Sequence, residues 1–146
     1  MASLGPIREA MATKLERMAG LQVSAYMLAN PTPPCCHVYP GEIQDYDHAM
    51  GRGMDLFRLT VQVLVPINDA ISSQKNLDAY LAGSGARSIK QALELREVGE
   101  VQPTLGGLCH DLRVTMATGY RRYTTDSGPL ALGCEWSVEV FVRGNS

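Results

Sequence analysis

Cysteine and histidine, the side chains best suited to nucleophilic or metal chemistry, are concentrated in two short segments. The first is Cys35-Cys36-His37 and the second is Cys109-His110. These residue types commonly bind zinc, but adjacent residues of a strand point to opposite faces, and the chain has no Cys-x-x-Cys pair. We therefore expect no metal site and no cofactor. Reduced thiols in a reducing compartment are the predicted state of the cysteines.

The same residues would allow a second chemistry, in which a cysteine and a histidine from different strands form a nucleophile pair. Cys36 with His110 is one example. Cys36 and His37, together with the loop that carries Asp45 and Asp47, are the basis of an alternative interpretation of the chain as a small cytosolic enzyme or ligand-binding domain. No oxyanion hole or orienting carboxylate occurs at a recognisable spacing. We therefore predict no catalytic residues and a protein that is not an enzyme.

Two polar segments carry residue types that protein interfaces favour. Residues 41–54 form a long, glycine-containing polar loop, which in a compact domain is usually a functional surface or a disordered one. The segment 120–129 is predicted to be a projecting hairpin connection with arginine and tyrosine at its tip, and a solvated turn is the alternative. The candidate contacts with other subunits or other proteins are Asp45, Tyr46, Asp47, Arg52, Tyr120, Arg121, Arg122 and Tyr123.

Length and charge limit the classes of protein to which the chain can belong. A chain of 146 residues is predicted to form one domain over residues 1–146, with enough buried surface to fold without disulfides. Thirteen basic and 15 acidic residues give a net charge of -2, which argues against a general nucleic-acid binder. No apolar run approaches the length of a membrane span, and the amphipathic start is unlike a signal peptide. We therefore expect a cytosolic product.

Residues 55–95 predict a strand, an amphipathic helix and a short helix in direct succession. Every second residue over 57–65 is large and apolar, which is the period of a half-buried strand. Ser88 and Gln91 have the spacing of a capping box and so predict the start of the short helix. The helix that follows Pro66 is predicted to bury one face, which consists of Ala70, Ser73, Leu77, Tyr80 and Leu81.

The same periodicities predict one helix and four strands elsewhere in the chain. The helix covers residues 4–18, and the strands cover residues 21–28, 35–39, 108–118 and 130–142. In the strand over 108–118, Leu112, Val114 and Met116 are predicted to form the apolar side. Asp111, Arg113 and Thr115 are predicted to face water. The resulting fold is α+β, a mostly antiparallel sheet of about four to five strands with an N-terminal helix and two central helices packed on one face.

Several short motifs also follow one another in a characteristic order. After the N-terminal helix come Pro33-Pro34-Cys35, Val38-Tyr39-Pro40, Tyr46 with Met50-Gly51-Arg52-Gly53, the strand from Phe57 to Val65, Ser73-Gln74, Leu77-Asp78-Ala79-Tyr80-Leu81, Gly85 with Ser88-Ile89, and the closing run from Leu132 to Val140. In this order they span nearly the whole chain. The chain resembles the tail terminator proteins of long-tailed bacteriophages with non-contractile tails, in particular those of actinobacterial phages.

The resemblance implies a non-enzymatic virion protein that is made in the host cytoplasm and lies at the head-proximal end of the tail. Such a protein assembles as a six-membered ring on the last ring of the tail tube, stops tube polymerisation and offers a surface to the head connector. The implied partners are further copies of the chain, the tail tube protein and the head-tail connector or neck protein. Genomic DNA would pass through the lumen without specific binding. Another head-to-tail connector component is an alternative within the same class.

Overall fold

The part of the chain that the structure describes contains three helices and five strands. The computed structural model describes residues 4–17, 22–26, 34–40, 54–67, 70–85, 87–95, 105, 109, 111–124 and 130–143. The elements are α1 (Leu4–Leu15), β1 (Gln22–Ser24), β2 (Cys35–Pro40), β3 (Met54–Pro66), α2 (Ala70–Leu81), α3 (Ile89–Glu94), β4 (Asp111–Thr124) and β5 (Leu130–Arg143). The predicted α+β class and the predicted order of elements are confirmed.

The strands form one sheet in the order β1-β2-β3-β5-β4. β1 and β2 are parallel, whereas the other three neighbouring pairs are antiparallel. β3 and β5 pair along their whole length, from Met54 opposite Arg143 to Pro66 opposite Ala131. These two long strands are therefore the centre of the sheet, and β1 and β4 are its edges.

All three helices pack on the same face of the sheet, which we call the inner face. The alternating apolar residues that predicted β3 and β5 lie on this face, together with Cys36 and Val38 of β2. Trp136 is at the centre of this core and is 3% exposed. Full burial of a large apolar side chain contributes roughly 1.5–3 kcal/mol, so this layer dominates the stability of the fold. The opposite side of the sheet is called the outer face.

The first of the two central helices, α2, buries three of the five residues that its periodicity predicted, while Leu81 is half-buried and the Ala70 side chain lies outside the described residues. On α2 the buried side chains are Ser73, Leu77 and Tyr80. Ser88 caps α3, and its Oγ accepts a hydrogen bond from the Gln91 backbone N–H at 3.1 Å. Only this half of the predicted capping box forms, because the Gln91 side-chain oxygen accepts from the Gly85 N–H at 3.0 Å instead of from Ser88.

Two cationic side chains attach α1 to the rest of the fold. The Arg8 guanidinium donates to the Ala25 carbonyl and to the Val38 carbonyl, both at 2.9 Å. Lys14 is buried, and its Nζ donates to the Leu95 carbonyl at 2.6 Å, just beyond the end of α3. Charge-assisted bonds of this kind are stronger than neutral ones. α1 is thus fixed over β1 and β2 on one side and against α3 on the other.

β1 is shorter than the strand predicted over residues 21–28. Its last residue is Ser24, whose hydroxyl accepts from the Tyr26 N–H at 3.2 Å and donates to the Tyr26 carbonyl at 2.8 Å. A serine that bonds the backbone two residues away makes a local turn, which competes with the strand ladder. The remainder of the predicted strand, residues 27–28, lies outside the described residues.

β4 differs most from its prediction, since it runs to Thr124 and not to residue 118. Asp111 was expected to face water but is only 7% exposed, because its carboxylate accepts from the Leu112 N–H at 2.9 Å and pairs with Arg113 at 3.2 Å. Met116 was expected in the core but is 57% exposed. A register shift between Val114 and Met116 explains the second error, because one extra residue moves the following side chains to the other face.

Candidate interaction surface

β4 contains two irregularities, and the first redirects its side chains. Val114 lies opposite Val138 of the core, whereas Met116 lies opposite Ser137 on the outer face. Thr115 is the extra residue, and its hydroxyl donates to the Ser137 carbonyl at 3.2 Å. This bond ties the bulged backbone to β5. The bulge therefore exposes Met116 on the outer face without detaching the strand.

The second irregularity, between Thr118 and Arg121, is centred on Gly119. Gly119 has a φ of +69°, a left-handed conformation that glycine adopts without strain. The Tyr123 hydroxyl donates to the Gly119 carbonyl at 2.6 Å from the outer face. The Cys134 thiol donates to the Thr118 carbonyl at 3.2 Å, and burial raises the pKa of this thiol, which favours the protonated donor form. Side chains on both faces thus satisfy the carbonyls that the bulge frees.

Residues 120–123, four of the candidate contact residues, were predicted to lie at a hairpin tip. That position is wrong, because all four lie on β4. The Tyr120 hydroxyl donates to the Asp78 carboxylate of α2 at 3.1 Å. The Arg121 guanidinium lies over the Tyr123 ring, 4.8 Å from its centroid. Arg121 and Arg122 are both exposed. The strand register divides these side chains between the two faces of the sheet. Arg121 and Tyr123 lie on the outer face, whereas Arg122, opposite the core residue Leu132, and Tyr120, bonded to α2, lie on the inner side.

The two halves of β4 differ in what contacts the backbone along the outer edge of the strand. In the first half, the Glu94 carboxylate of α3 accepts from the Val114 N–H at 2.8 Å and so occupies the edge. Over residues 115–122, which we call the open half of β4, every side chain is exposed apart from Gly119, which is intermediate. A long edge strand with an exposed face invites pairing with another chain. Within the described part of the chain, the open half of β4 is therefore the surface most suited to a protein partner.

The open half of β4 borders a groove of about 670 Å³ on the outer face. Hydroxyl, carboxylate and guanidinium groups from four strands line much of this groove, with apolar atoms of Tyr39 and Met116 at its sides. Arg58 and Glu139 approach to 3.8 Å within it. Ligand pockets of this size are usually mainly apolar and enclosed. This open groove, whose lining mixes polar and apolar atoms, is better suited to the side chains of a protein partner than to an apolar small molecule.

A chain of hydrogen bonds crosses the outer face beside the groove. His37 Nε2 lies 2.6 Å from Gln62 Oε1, and Gln62 Nε2 donates to Glu135 at 3.3 Å. The Tyr123 hydroxyl is also 3.3 Å from the Glu135 carboxylate. Because Gln62 Oε1 can only accept, Nε2 of His37 carries the proton, and the buried Nδ1 has no partner among the described residues. The network connects β2, β3, β5 and the second bulge of β4.

Burial determines the protonation of the aromatic and imidazole groups in this network. His37 is 4% exposed, and burial lowers its pKa, against smaller opposing effects of the Gln62 hydrogen bond and the Glu135 charge. Burial, reinforced by Glu135, raises the pKa of Tyr39 to about 12. At neutral pH both groups are therefore uncharged. The only carboxylate in the network is that of Glu135.

The cysteines do not form a reactive site with His37, the one histidine that the structure describes. All four cysteines are free and buried. Cys36 lies in the core on the inner face, whereas His37 faces Gln62 on the outer face, so the two side chains do not converge. Burial raises the pKa of Cys36 strongly and that of Cys35 to about 11, which disfavours the thiolate that a nucleophile or metal ligand requires. Within the described residues, no group of three potential metal ligands occurs.

The other candidate contacts, Asp45, Tyr46, Asp47 and Arg52, lie outside the described residues, as does His110. Sequence reasoning also missed some residues that shape the surface. Gly119 and Cys134 build the second bulge, and Glu94 occupies the edge at Val114. The one available signal was Gly119, since a glycine inside a strand pattern often marks a bulge.

Comparison with known proteins adds no relative to this description. No protein-family model matches the chain, and a search of curated proteins found no match. None of the described helices has the length and apolarity that crossing a membrane requires. The functional interpretation therefore depends on the surface itself and on the order of motifs in the sequence.

Proposed function

We propose that the chain is a structural protein of a bacteriophage virion. In this proposal it forms a ring, a six-membered one by the family resemblance, that caps the tail tube, ends tail polymerisation and provides the surface for joining to the head connector. The order of sequence motifs supports the proposal, and the α+β fold is consistent with it. The observation that carries it is the open half of β4, an exposed edge that a neighbouring subunit can cover.

The length of β4 makes this edge unusual for a protein that acts alone. β4 has 14 residues, whereas strands in globular proteins commonly have about five or six. Its two bulges and exposed arginines are features that hinder unspecific pairing of an edge, so a neighbouring subunit would have to fit this irregular edge specifically. Assembly into a closed ring would cover the edge in every copy. A ring would also explain why tyrosine and arginine are held in place on this strand, since both are favoured at interface centres.

The ring would bind the tail tube protein on one side and the head-tail connector on the other, at the head-proximal end of the virion tail. The net charge of -2 is compatible with a lumen through which genomic DNA passes without specific binding. An enzyme based on Cys36 and His37 has less support, because these side chains lie on opposite faces and the thiol is buried.

The proposal is tested by electron microscopy of phage lysates. A phage whose gene for this chain carries an early stop codon is compared with its parent and with the same mutant supplied with the intact gene in trans. We expect filled heads beside overlong, unattached tails in the mutant, and normal particles in both controls. Tails of normal length that lie unjoined to heads would favour another connector component instead. Intact infectious particles in the mutant would refute a virion role.

A further inference from the structure

We propose that Tyr123 holds the second bulge of β4 in place, and that this bulge keeps the free edge of β4 from pairing with strands of other molecules. The bulge lies between Thr118 and Arg121, with Gly119 at its centre. Tyr123 and the two glycines that it contacts, Gly119 and Gly133, are called the Tyr123 latch. The inference concerns the free chain and stands whether or not the chain forms a ring.

The edge that needs protection is the segment 114–120. Its sequence, Val-Thr-Met-Ala-Thr-Gly-Tyr, contains no charged residue and no proline. Segments of about six or seven residues with high β propensity, low net charge and no proline are prone to form cross-β assemblies when an edge exposes them. The side chains of residues 115–118 are all exposed, and β4 is the last strand of the sheet. As a regular strand, this segment would offer other molecules a template for pairing.

Tyr123 is seated against two glycines. A Cβ atom on Gly119 would lie 2.6 Å from the Tyr123 hydroxyl oxygen, and a Cβ atom on Gly133 would lie 2.9 Å from Tyr123 Cδ1. A side chain at either position would therefore collide with the tyrosine. The Arg121 guanidinium lies over the ring, 4.8 Å from its centroid. The ring is thus confined to one position on the outer face.

The Tyr123 hydroxyl fastens the bulge. It donates to the Gly119 carbonyl at 2.6 Å, and it lies 3.3 Å from the Glu135 carboxylate of β5. Gly119 has a φ of +69°, so its backbone departs from the extended conformation of the strand. The hydroxyl satisfies the carbonyl at this departure. Loss of the hydroxyl would therefore remove a hydrogen bond that the bulged conformation uses.

The bulge also sets the register of β4 beyond it. Thr118 lies opposite Glu135 and Arg121 lies opposite Gly133, so β4 has one residue more than β5 in this interval. Without the extra residue, Arg121 would lie opposite Leu132, a core residue of the inner face. A regular register is therefore unfavourable within one molecule. Loss of the latch should instead detach residues 119–124 from β5, which frees their backbone groups for another chain.

The test removes the hydroxyl and keeps the ring, with Tyr123→Phe in the full-length protein. Gly119→Ala is a second variant, because its Cβ would collide with the hydroxyl and alanine is strained at this φ. Ile7→Val in the core is the control for a comparable loss of global stability. Tyr26→Phe is the control for loss of a tyrosine hydroxyl, since Tyr26 follows β1 at the opposite end of the sheet.

Hydrogen–deuterium exchange followed by mass spectrometry measures the opening of each strand. Amides of residues 119–124 should exchange roughly two- to tenfold faster in Tyr123→Phe than in the wild type, because one hydrogen bond that closes the bulge is lost. Amides of β3 should exchange at the wild-type rate. Thioflavin T fluorescence and sedimentation measure assembly through strand pairing, which should be faster in Tyr123→Phe and Gly119→Ala than in either control.

A rescue experiment separates edge pairing from a general loss of stability. Ala117 is exposed on the open half of β4, and a lysine on an edge strand opposes pairing. Ala117→Lys combined with Tyr123→Phe should therefore suppress assembly. Thr13→Lys adds the same charge at an exposed position of α1 and should not suppress it.

Three results would overturn the inference. The first is assembly of Tyr123→Phe that is no faster than that of Ile7→Val. The second is equal suppression of assembly by Ala117→Lys and Thr13→Lys, because net charge and not the edge would then control it. The third is a uniform rise in exchange over the whole sheet of Tyr123→Phe, which would show that the hydroxyl stabilises the fold as a whole and not the bulge.

Discussion

Substitution of Gly133 by alanine tests how closely β3, β5 and β4 pack beneath the candidate surface. Gly133 lies opposite Leu64 of β3 and Arg121 of β4. A Cβ atom at this position would lie 2.6 Å from Leu64 Cδ2, 2.9 Å from Tyr123 Cδ1 and 2.9 Å from the Val63 carbonyl oxygen. All three distances are shorter than ordinary carbon contacts. The substitution therefore requires both neighbouring strands to adjust.

The size of the effect depends on which neighbour can move. The Leu64 and Tyr123 side chains can rotate, but the Val63 carbonyl belongs to the central strand β3, which is paired on both sides. Forcing extra volume into a packed site typically costs about 1–3 kcal/mol. The alanine also restricts the unfolded chain, which offsets about 0.4–1 kcal/mol of that cost. We expect a net loss of roughly 1–2 kcal/mol in the free energy of unfolding, or about 2–8 °C in melting temperature.

The assay is urea unfolding followed by fluorescence of Trp136, the single tryptophan, which is 3% exposed in the core. Gly83→Ala is the matched control, because its Cβ would have no neighbour within 4 Å and its φ is outside the left-handed region. The control should leave stability unchanged or raise it by up to about 1 kcal/mol. Equal unfolding midpoints for the two variants would refute the register of β3, β5 and β4 that places Tyr123 beside Gly133.

Two further predictions concern the network and the occupied edge. Since burial lowers the folded pKa of His37 below its ordinary 6.5, its stabilising neutral form is complete above that pH and is lost as the pH falls. Below about pH 6.5, the free energy of unfolding of the wild type should therefore fall more steeply than that of His37→Gln, by up to about 1.4 kcal/mol for each pH unit. Parallel curves of stability against pH for the two proteins would contradict this. Glu94→Ala leaves the Val114 N–H without its acceptor and should cost about 1–3 kcal/mol. The control Lys90→Ala removes only the Lys90–Glu94 ion pair and should lower the free energy of unfolding by at most about 1 kcal/mol. Equal urea midpoints for Glu94→Ala and Lys90→Ala would argue against the contact between Glu94 and the β4 edge.

The elements that the sequence predicted well are those whose pattern depends on one strand or helix alone. β3 and β5 have long uninterrupted alternation, and α2 buries Ser73, Leu77 and Tyr80 as its helical spacing predicted. Ser88 was identified as a cap because capping depends on residues three positions apart. Each of these signals is local. The boundaries of these elements therefore agree closely with their predictions.

The features that escaped prediction depend on contacts between distant segments. The first bulge of β4 is defined by its register against β5, and neither strand alone fixes where the extra residue falls. Asp111 is the exception, since its carboxylate is satisfied locally by Leu112 and Arg113, which alternation cannot indicate. The parallel pairing of β1 with β2 is equally nonlocal. The candidate residues Tyr120 to Tyr123 were therefore identified by type, but their position on an edge strand was not.

The most direct test of the proposed function is a cryo-electron microscopy reconstruction of the head-tail junction of a phage that encodes this chain. We expect one ring of six copies between the last ring of the tail tube and the connector. In that ring, a neighbouring copy should cover the open half of β4 of each copy. Absence of the chain from the purified virion, or its presence away from this junction, would contradict the account.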